Sequence, residues 1–277
     1  MPGFTSRDDL MAEMLSNGKV DQYDFHRTSA ANTDASGLWT TLWNATGAPS
    51  AGANPAATPG TVYESDPTSR VTGAIDFPDR STDQRYLLSF GAFSTMNCTL
   101  MLYDRLAGVG GISLATTGAK TVNSGALTRY SGADAILNEA WLEITTATTV
   151  SATTFNLNSY TSADGTTSLN GDSISVSSGT DAGTMFQLPL NAFAQGVRSV
   201  EAGLNVSAAA TAGAGNIVII RPLARIGLYA NTFNEISFLD DVLSLPRIYD
   251  NACLSLAVLA TAATSVTVRG NITCVYG

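Results

Sequence analysis

The sequence predicts an all-β fold: an antiparallel β-sandwich, jelly-roll-like, with an N-terminal helix and an extended arm in front of it. Only 13% of the 277 residues are charged. From residue 86 onward, short runs of alternating apolar and polar residues are separated by turn residues, as in antiparallel strands. Almost no amphipathic helix separates these runs, so a parallel sheet is not expected.

Residues 5–17 predict the helix. Ser6 can cap its first turn, Asp8 and Asp9 lie where the helix dipole favours anions, and Gly18 follows its last turn. A helix this short is marginal in isolation, so its apolar stripe is expected to dock on its own domain or on a neighbouring chain. The stripe consists of Leu10, Met11, Met14 and Leu15.

Residues 44–70 predict an extended arm or linker. Small residues and prolines dominate this segment, and they cannot supply a core. A stretched segment of this length spans at most ~90 Å, enough to cross a neighbouring subunit. Trp39 and Trp43 directly precede it and are either interface anchors or packed on the chain's own sheet. The prolines are Pro49, Pro55, Pro59 and Pro67.

The chain is therefore divided into a helix with an arm or linker at 1–85 and a β-sandwich domain at 86–277. Within the second part, residues 107–134 are rich in glycine and predict a long flexible connection. The Asp164–Gly165 pair predicts a reverse turn. Residues 231–252 interrupt the strand pattern and predict a short helix or an insertion across the sandwich.

Charge and hydropathy exclude several partners. The formal charge of −9, from 23 acidic and 14 basic residues, argues against nucleic acid, which requires clustered lysine and arginine. No run of apolar residues is long enough to predict a membrane span, and the opening residues do not resemble a secretory signal. Cys98, Cys253 and Cys274 lie in apolar runs and predict buried free thiols.

Catalytic chemistry is not expected. His26 is the single histidine, so a serine or cysteine nucleophile has almost no base to choose from. The acidic pairs Asp8–Asp9 and Asp240–Asp241 are sequence neighbours, which rarely flank a substrate bond as glycoside hydrolysis requires. We therefore predict a chain that is not an enzyme and that has no catalytic residue, cofactor or metal site.

Two weaker alternatives concern ligands. Asp164, Asp172 and Asp181 lie near turn-rich segments, but their spacing does not match a calcium loop. A sugar-binding surface is the other alternative, because jelly-roll sandwiches often carry lectin-like sites. The tyrosines considered for it are Tyr63, Tyr130 and Tyr160.

The stretch LMLYDRLAGVGGISLATTGAKTVNSGALTRY, together with AWLEITTATT, GTMFQLPL, GVRSVEAGLNVS and NIVIIRPLARI, resembles structural proteins encoded in the virion gene clusters of tailed bacteriophages. The resemblance covers most of residues 86–228. It lies in the local composition and in the order of these segments, and not in a motif with known chemistry. It implies assembly in the bacterial cytoplasm and incorporation into a virion. The role it favours is a capsid decoration or cement protein, a trimer that bridges subunits of the major capsid protein.

For that role the sequence offers candidate contact residues at its N-terminal end. They are Phe4, Leu10, Met11, Met14, Leu15, Trp39 and Trp43. Three other virion roles stay open at this point: a tail or receptor-binding component that also contacts glycans, a major capsid protein, and a virion-borne glycan hydrolase. A major capsid protein is disfavoured because no long spine helix is evident in the sequence.

Overall fold

The computed structural model describes residues 4–29, 37–57, 60–66, 68–80, 83–120, 123–149, 152–177, 179–239 and 245–277. In this part of the chain one α-helix, α1 (Arg7–Leu15), precedes the strands, and a 3-10 helix covers Gly132–Leu137. The strands pair with one another in antiparallel fashion. The prediction of an all-β antiparallel fold with an N-terminal helix is confirmed.

The strands follow in chain order. They are β1 (Val20–Thr28), β2 (Trp39–Thr41), β3 (Thr46–Ala48), β4 (Thr61–Val62), β5 (Arg85–Ser94), β6 (Cys98–Ser113), β7 (Gly118–Lys120), β8 (Glu139–Thr149), β9 (Thr153–Leu157), β10 (Tyr160–Ser162), β11 (Ile174–Val176), β12 (Thr184–Gln187), β13 (Val197–Val200), β14 (Leu204–Ala208), β15 (Ala212–Leu228), β16 (Phe233–Ser237), β17 (Arg247–Ile248), β18 (Leu254–Ala260) and β19 (Thr267–Tyr276).

The centre of the molecule is a closed ring of strands. The pairing order runs β15-β8-β12-β2-β18-β6, and β6 pairs back onto β15, so the sheet closes on itself as a small barrel. One buried apolar cluster draws its side chains from the strands of this ring and fills its inside. Its buried members are Met101, Tyr103, Trp141, Met185, Val218, Ile220 and Ala257.

Two further layers cover the outside of the ring. A sheet of order β16-β5-β19-β1-β3, with β17 attached to β5, packs on the outward side chains of β6 and β18, including Leu100 and Leu254. The sheets β11-β9-β14-β7 and β10-β13 pack on the other end of β6 and on β8 and β15, around Leu106 and Ile219. The ring strands are thus apolar on both faces, as in a doubly covered sheet.

The N-terminal segment supplies strands to these same sheets. β1 pairs with β19 from Val20–Val275 to Thr28–Thr267, and β2 lies in the ring between β12 and β18. The amide of Gly110 donates to the carbonyl of Ala56, so residues 44–57 lie along the chain's own body. Pro59 and Pro67 lie outside the described residues. The boundary at residue 85 stays a prediction. Residues 20–28 and 39–41, which lie in the predicted N-terminal part, are strands of these sheets.

The predicted Gly-rich connection contains strand at two places, the end of β6 and all of β7. Residues 107–113 belong to β6, and a Cβ added to Gly110 would lie 2.1 Å from the carbonyl oxygen of Pro55. The glycine therefore permits close approach of residues 55–57 to the strand, and the sequence alone does not distinguish this from flexibility. In the predicted insertion, β16 and β17 are strands that pair with β5, while Asp240 and Asp241 lie outside the described residues.

Candidate interaction surface

The N-terminal helix docks on its own chain. The side-chain hydroxyl of Ser6 accepts from the amide of Asp9 at 3.1 Å, which caps the first turn. Leu10 is fully buried against Leu88, Leu245 and Val275, with Phe4 and Met14 packed at the edge of the same cluster. Met11 is half-buried, whereas Leu15 is 74% exposed. Of the predicted contact residues on this helix, Leu15 is the one most available to another chain.

The two tryptophans predicted as anchors differ in accessibility. Trp43 is fully buried, its indole N–H donates to the carbonyl of Ala53 at 2.7 Å, and its ring lies 5.4 Å from that of Tyr63. Trp39 keeps a partly exposed face and packs edge-on against Trp141 at 6.2 Å. Trp43 therefore follows the alternative of packing on its own chain, and its side chain offers no surface to a partner.

A buried ion pair crosses the inside of the ring. The Arg105 guanidinium donates to both carboxylate oxygens of Glu143, at 2.6 and 2.7 Å. The same guanidinium lies 4.8 Å from the ring centre of Trp43 and 4.9 Å from that of Tyr63. Burial disfavours the charged form of Arg105, but Glu143 more than offsets this, so the pKa of Arg105 is raised. The pair is sealed from solvent and acts as structure.

A second buried pair lies beside the first. Arg129 donates to the two carboxylate oxygens of Asp104 at 2.8 and 2.9 Å, and the amide of Cys253 donates to Asp104 at 2.9 Å. Arg129 also donates to the backbone carbonyl of Arg105 at 3.3 Å. Burial raises the pKa of the Cys253 thiol, which is an inert group in this setting. Each carboxylate thus accepts two guanidinium hydrogen bonds, while Arg105 Nε and one terminal nitrogen of Arg129 are buried without a partner among the described residues.

An open groove, here called the Arg–Tyr groove, lies at the surface where the 3-10 helix, β15 and β17 meet. Its volume is about 440 Å³. Tyr130 and Tyr249 pack edge to face with ring centres 4.9 Å apart. The guanidinium of Arg221 lies 4.8 Å from the Tyr130 ring centre, and that of Arg247 lies 4.2 Å from the Tyr249 ring centre. Its apolar walls are Ile136, Leu137, Pro222, Leu223, Leu245 and Pro246.

Tyr130 is the fixed point of this groove. Its backbone has φ +44°, a conformation that costs a bulky residue about 1–3 kcal/mol. Three contacts hold it there: its hydroxyl donates to the carbonyl of Arg247, its own carbonyl accepts from the side-chain amide of Asn138 at 2.9 Å, and its ring packs on Tyr249. Burial raises the pKa of Tyr130, so the hydroxyl remains a donor. The groove is thereby preformed.

Exposed apolar side chains continue the surface beyond the groove. Ile136 is 47% exposed, Leu137 59% and Phe193 93%. The backbone of Gly196, three residues after Phe193, lies against Ala135 and Ile136, so the Phe193 loop and the 3-10 helix are neighbours. Sequence reasoning missed these residues because they lie between the runs that were interpreted as strands. The signal available was two adjacent large apolar residues, Ile136 and Leu137, in an otherwise polar stretch.

The tyrosines considered for sugar binding are not exposed. Tyr63, Tyr130 and Tyr160 are all buried, so none of them presents an open ring face. Over the described ranges, no group of three or more His, Cys, Asp or Glu side chains is arranged to hold a metal ion. Cys98, Cys253 and Cys274 are buried free thiols. Among the helices of the described residues, none is long and apolar enough to span a membrane.

Neither a family model nor a curated protein matches the chain. Among solved structures, the VP2 subviral particle of infectious bursal disease virus matches at 11% identity over 96% of this chain and 85% of that chain, with a TM-score of 0.20. The Gx strain of the same virus matches at 10% identity over 94% and 81%, with a TM-score of 0.18. These weak structural neighbours are viral proteins, but TM-scores this low assign neither fold nor function.

Proposed function

We propose that this chain is a non-enzymatic structural protein of a virion, of the capsid decoration or cement type. It is assembled in the bacterial cytoplasm as a trimer, binds the major capsid protein and bridges neighbouring subunits of the head. The proposal is supported by the resemblance of residues 86–228 to phage virion proteins. It uses no nucleic acid, membrane, cofactor or catalytic group.

The structural observation that carries the proposal is the contrast between a sealed interior and an apolar, preformed surface. In the interior, Arg105 and Arg129 are paired with Glu143 and Asp104, and Arg27 donates to two backbone carbonyls. By contrast, Phe193 is 93% exposed beside the Arg–Tyr groove. Arginine and aromatic residues are enriched at the centres of protein interfaces, where lysine and acidic residues are depleted. Such a surface suits wide contact with another protein.

The mechanism is stabilisation by mass action. A protein that binds the assembled shell and not its separated subunits stabilises the shell by RT ln(1 + [L]/Kd), which is about 2.7 kcal/mol at a hundredfold excess over Kd. No chemical step is required. A shape-complementary body with few titrating groups on its contact surface is sufficient, and the closed ring provides a stiff one.

Electron microscopy of the virion that contains this chain tests the proposal. We expect density for the described body on the outer surface of the head, over seams between capsid subunits. We also expect shells that lack the chain to disrupt at a lower temperature, and saturating purified chain to restore the higher one. Density in the tail, density as the shell itself, or absence from the particle would each contradict a decoration role.

A further inference from the structure

We infer that the Arg–Tyr groove binds an acidic, apolar peptide segment of a partner protein. The inference deepens the proposed function, because it names the docking surface and the chemistry of the partner. It depends on that function only for which protein supplies the segment.

The first argument for an acidic ligand is the charge of the groove. Seven of the 14 basic residues form an ion pair among the described residues, as Arg80 and Arg85 do with Asp21 and Arg225 does with Glu139. Within the described ranges, neither Arg221 nor Arg247 has a carboxylate within ion-pair distance. These two therefore present positive charge at the surface of a chain whose formal charge is −9.

One carboxylate does line the groove, that of Asp134. Asp134 contacts Arg221 through its backbone, because the Arg221 guanidinium donates to the Asp134 carbonyl oxygen at 2.9 Å. Asp250, which is not part of the groove lining, also interacts electrostatically with Arg247. Among the lining residues, two guanidiniums and one carboxylate give a net positive charge. That balance fits a segment with one or two carboxylates and disfavours a polyanion such as nucleic acid, which Asp134 and the acidic chain repel.

The stacking of the arginines on tyrosine rings sets their geometry. The guanidiniums of Arg221 and Arg247 lie over the rings of Tyr130 and Tyr249, at 4.8 and 4.2 Å from the ring centres, and this contact restrains their positions. A planar guanidinium receives a carboxylate through two parallel hydrogen bonds, and pre-ordering the fork reduces the entropy lost on binding. The incoming group that this arrangement matches is an aspartate or glutamate side chain.

The apolar walls of the groove indicate that the ligand also carries apolar side chains. Ile136 and Leu137 are 47% and 59% exposed, and Leu223, Leu245 and Pro246 extend the apolar lining. Burying such side chains under a partner's apolar residues is favourable in proportion to the apolar area removed from water. At about 440 Å³, the space accommodates a few side chains of a peptide and not a folded domain. An acidic segment with interspersed apolar residues satisfies both the arginines and the walls.

Fluorescence anisotropy on the full chain tests this with a defined probe. The probe is an acetylated, fluorescein-labelled peptide of alternating leucine and glutamate, and its matched control carries glutamine in place of glutamate. We expect the glutamate peptide to bind saturably and the glutamine peptide to bind at least about tenfold more weakly, because charge-assisted hydrogen bonds are lost. Leu137→Ser should weaken binding of the glutamate peptide as well.

Variants assign the binding to the groove. The double variant Arg221→Gln/Arg247→Gln should bind the glutamate peptide at least about tenfold more weakly than the parent chain. The matched control is Arg269→Gln, which removes an exposed arginine of β19 in the same sheet as β17 but at the other end of β5, where Arg269 pairs with Phe93 whereas Arg247 pairs with Tyr86. It should leave the affinity unchanged. Arg221→Lys/Arg247→Lys, which keeps the charge and loses the planar fork, should give an intermediate affinity.

Several results would overturn the inference. Equal affinity for the glutamate and glutamine peptides would show that the carboxylates are not recognised. An equal loss of affinity in the Arg269→Gln control would show that the groove arginines do not determine binding. Self-association of the chain that disappears in Arg221→Gln/Arg247→Gln would assign the groove to a second copy instead. If the peptide binds but the virion lacks the chain, the proposed function fails and this inference stands. If the chain covers the head but binds no peptide, the inference alone fails.

Discussion

Arginine lies over aromatic rings at several places in this protein, and two of these regions differ in what completes the charge. Inside the ring, Arg105 lies over Trp43 and Tyr63 and is closed by both oxygens of Glu143. In the Arg–Tyr groove, the stacked arginines have no such carboxylate among the described residues. The same residue types serve as a structural tie when the carboxylate is internal, and as a receptor when it must come from another molecule.

The alternation of side chains along a β-strand explains how the two buried ion pairs form independently of each other. Asp104 and Arg105 are adjacent in β6, and successive side chains of a strand point to opposite faces. Arg105 therefore reaches Glu143 inside the ring, while Asp104 faces outward and meets Arg129. Two neighbouring opposite charges thus form two separate long-range pairs, which tie β6 to β8 and to the segment before the 3-10 helix.

The largest expected effect is in the closed region. Glu143→Ala leaves the Arg105 guanidinium buried without its carboxylate, and breaking a buried pair in this way destabilises a protein by about 3–5 kcal/mol. Denaturant unfolding followed by tryptophan fluorescence should show that loss in the free energy of unfolding. Glu143→Gln keeps the shape of the side chain and gives a foldable comparison.

A paired replacement sharpens this prediction. Arg105→Met/Glu143→Leu removes both charges at once, and such replacements are often neutral or stabilising by about 1–4 kcal/mol. We expect the double variant to be more stable than Glu143→Ala. A double variant as unstable as the single one would mean that the pair specifies the ring, and not only that a lone buried charge is costly.

The next effect concerns the segment that covers the closed region. Gly110→Ala places a Cβ 2.1 Å from the carbonyl oxygen of Pro55 in the unrelaxed structure, so residues 55–57 must move away from β6. Overpacking of this kind costs about 1–3 kcal/mol. Gly227→Ala in β15 is the matched control, because an added Cβ there meets nothing within 4 Å. Its unfolding midpoint should equal that of the parent or exceed it.

If both glycine variants lose stability equally, the contact between residues 55–57 and β6 is not what Gly110 permits. Limited proteolysis separates the cases further. We expect cleavage within residues 44–57 to become faster in Gly110→Ala and to stay slow in Gly227→Ala, because the segment lies along the body only while its backbone meets that of β6.

Glycine also marks the limit of what the sequence predicted. Alternation after residue 86 was sufficient for antiparallel sheets, and the Ser6 cap was sufficient for α1. The closure of the ring was not predictable, because it depends on β2 pairing with β18, whose partner residues are more than two hundred positions apart and leave no local pattern. Gly108 and Gly110 were interpreted as flexibility because glycine marks both loops and close backbone contacts.

The candidate surface was predictable only in part, for a related reason. The helix stripe is visible in the sequence because its residues repeat at helical spacing, but the docked face and the free face follow from packing, which buries Leu10 and exposes Leu15. The groove has no sequence signature. Tyr130, Arg221, Arg247 and Tyr249 come from separate segments and meet only in the folded chain.

The smallest expected effect is in the open region, and it is the one that decides the comparison. Exposed cation–π contacts contribute about 0.5–1 kcal/mol, so Arg221→Gln and Arg247→Gln should each lower the free energy of unfolding by no more than ~1 kcal/mol. Arg247, which is the more exposed of the two, should lose least. Thermal and denaturant unfolding of the two variants beside Glu143→Ala provide the measurement. A loss of 3 kcal/mol or more, as expected for a broken buried pair, would make these arginines structural ties like Arg105. A small loss together with weakened peptide binding would show that the groove arginines are free to bind because the fold does not depend on them.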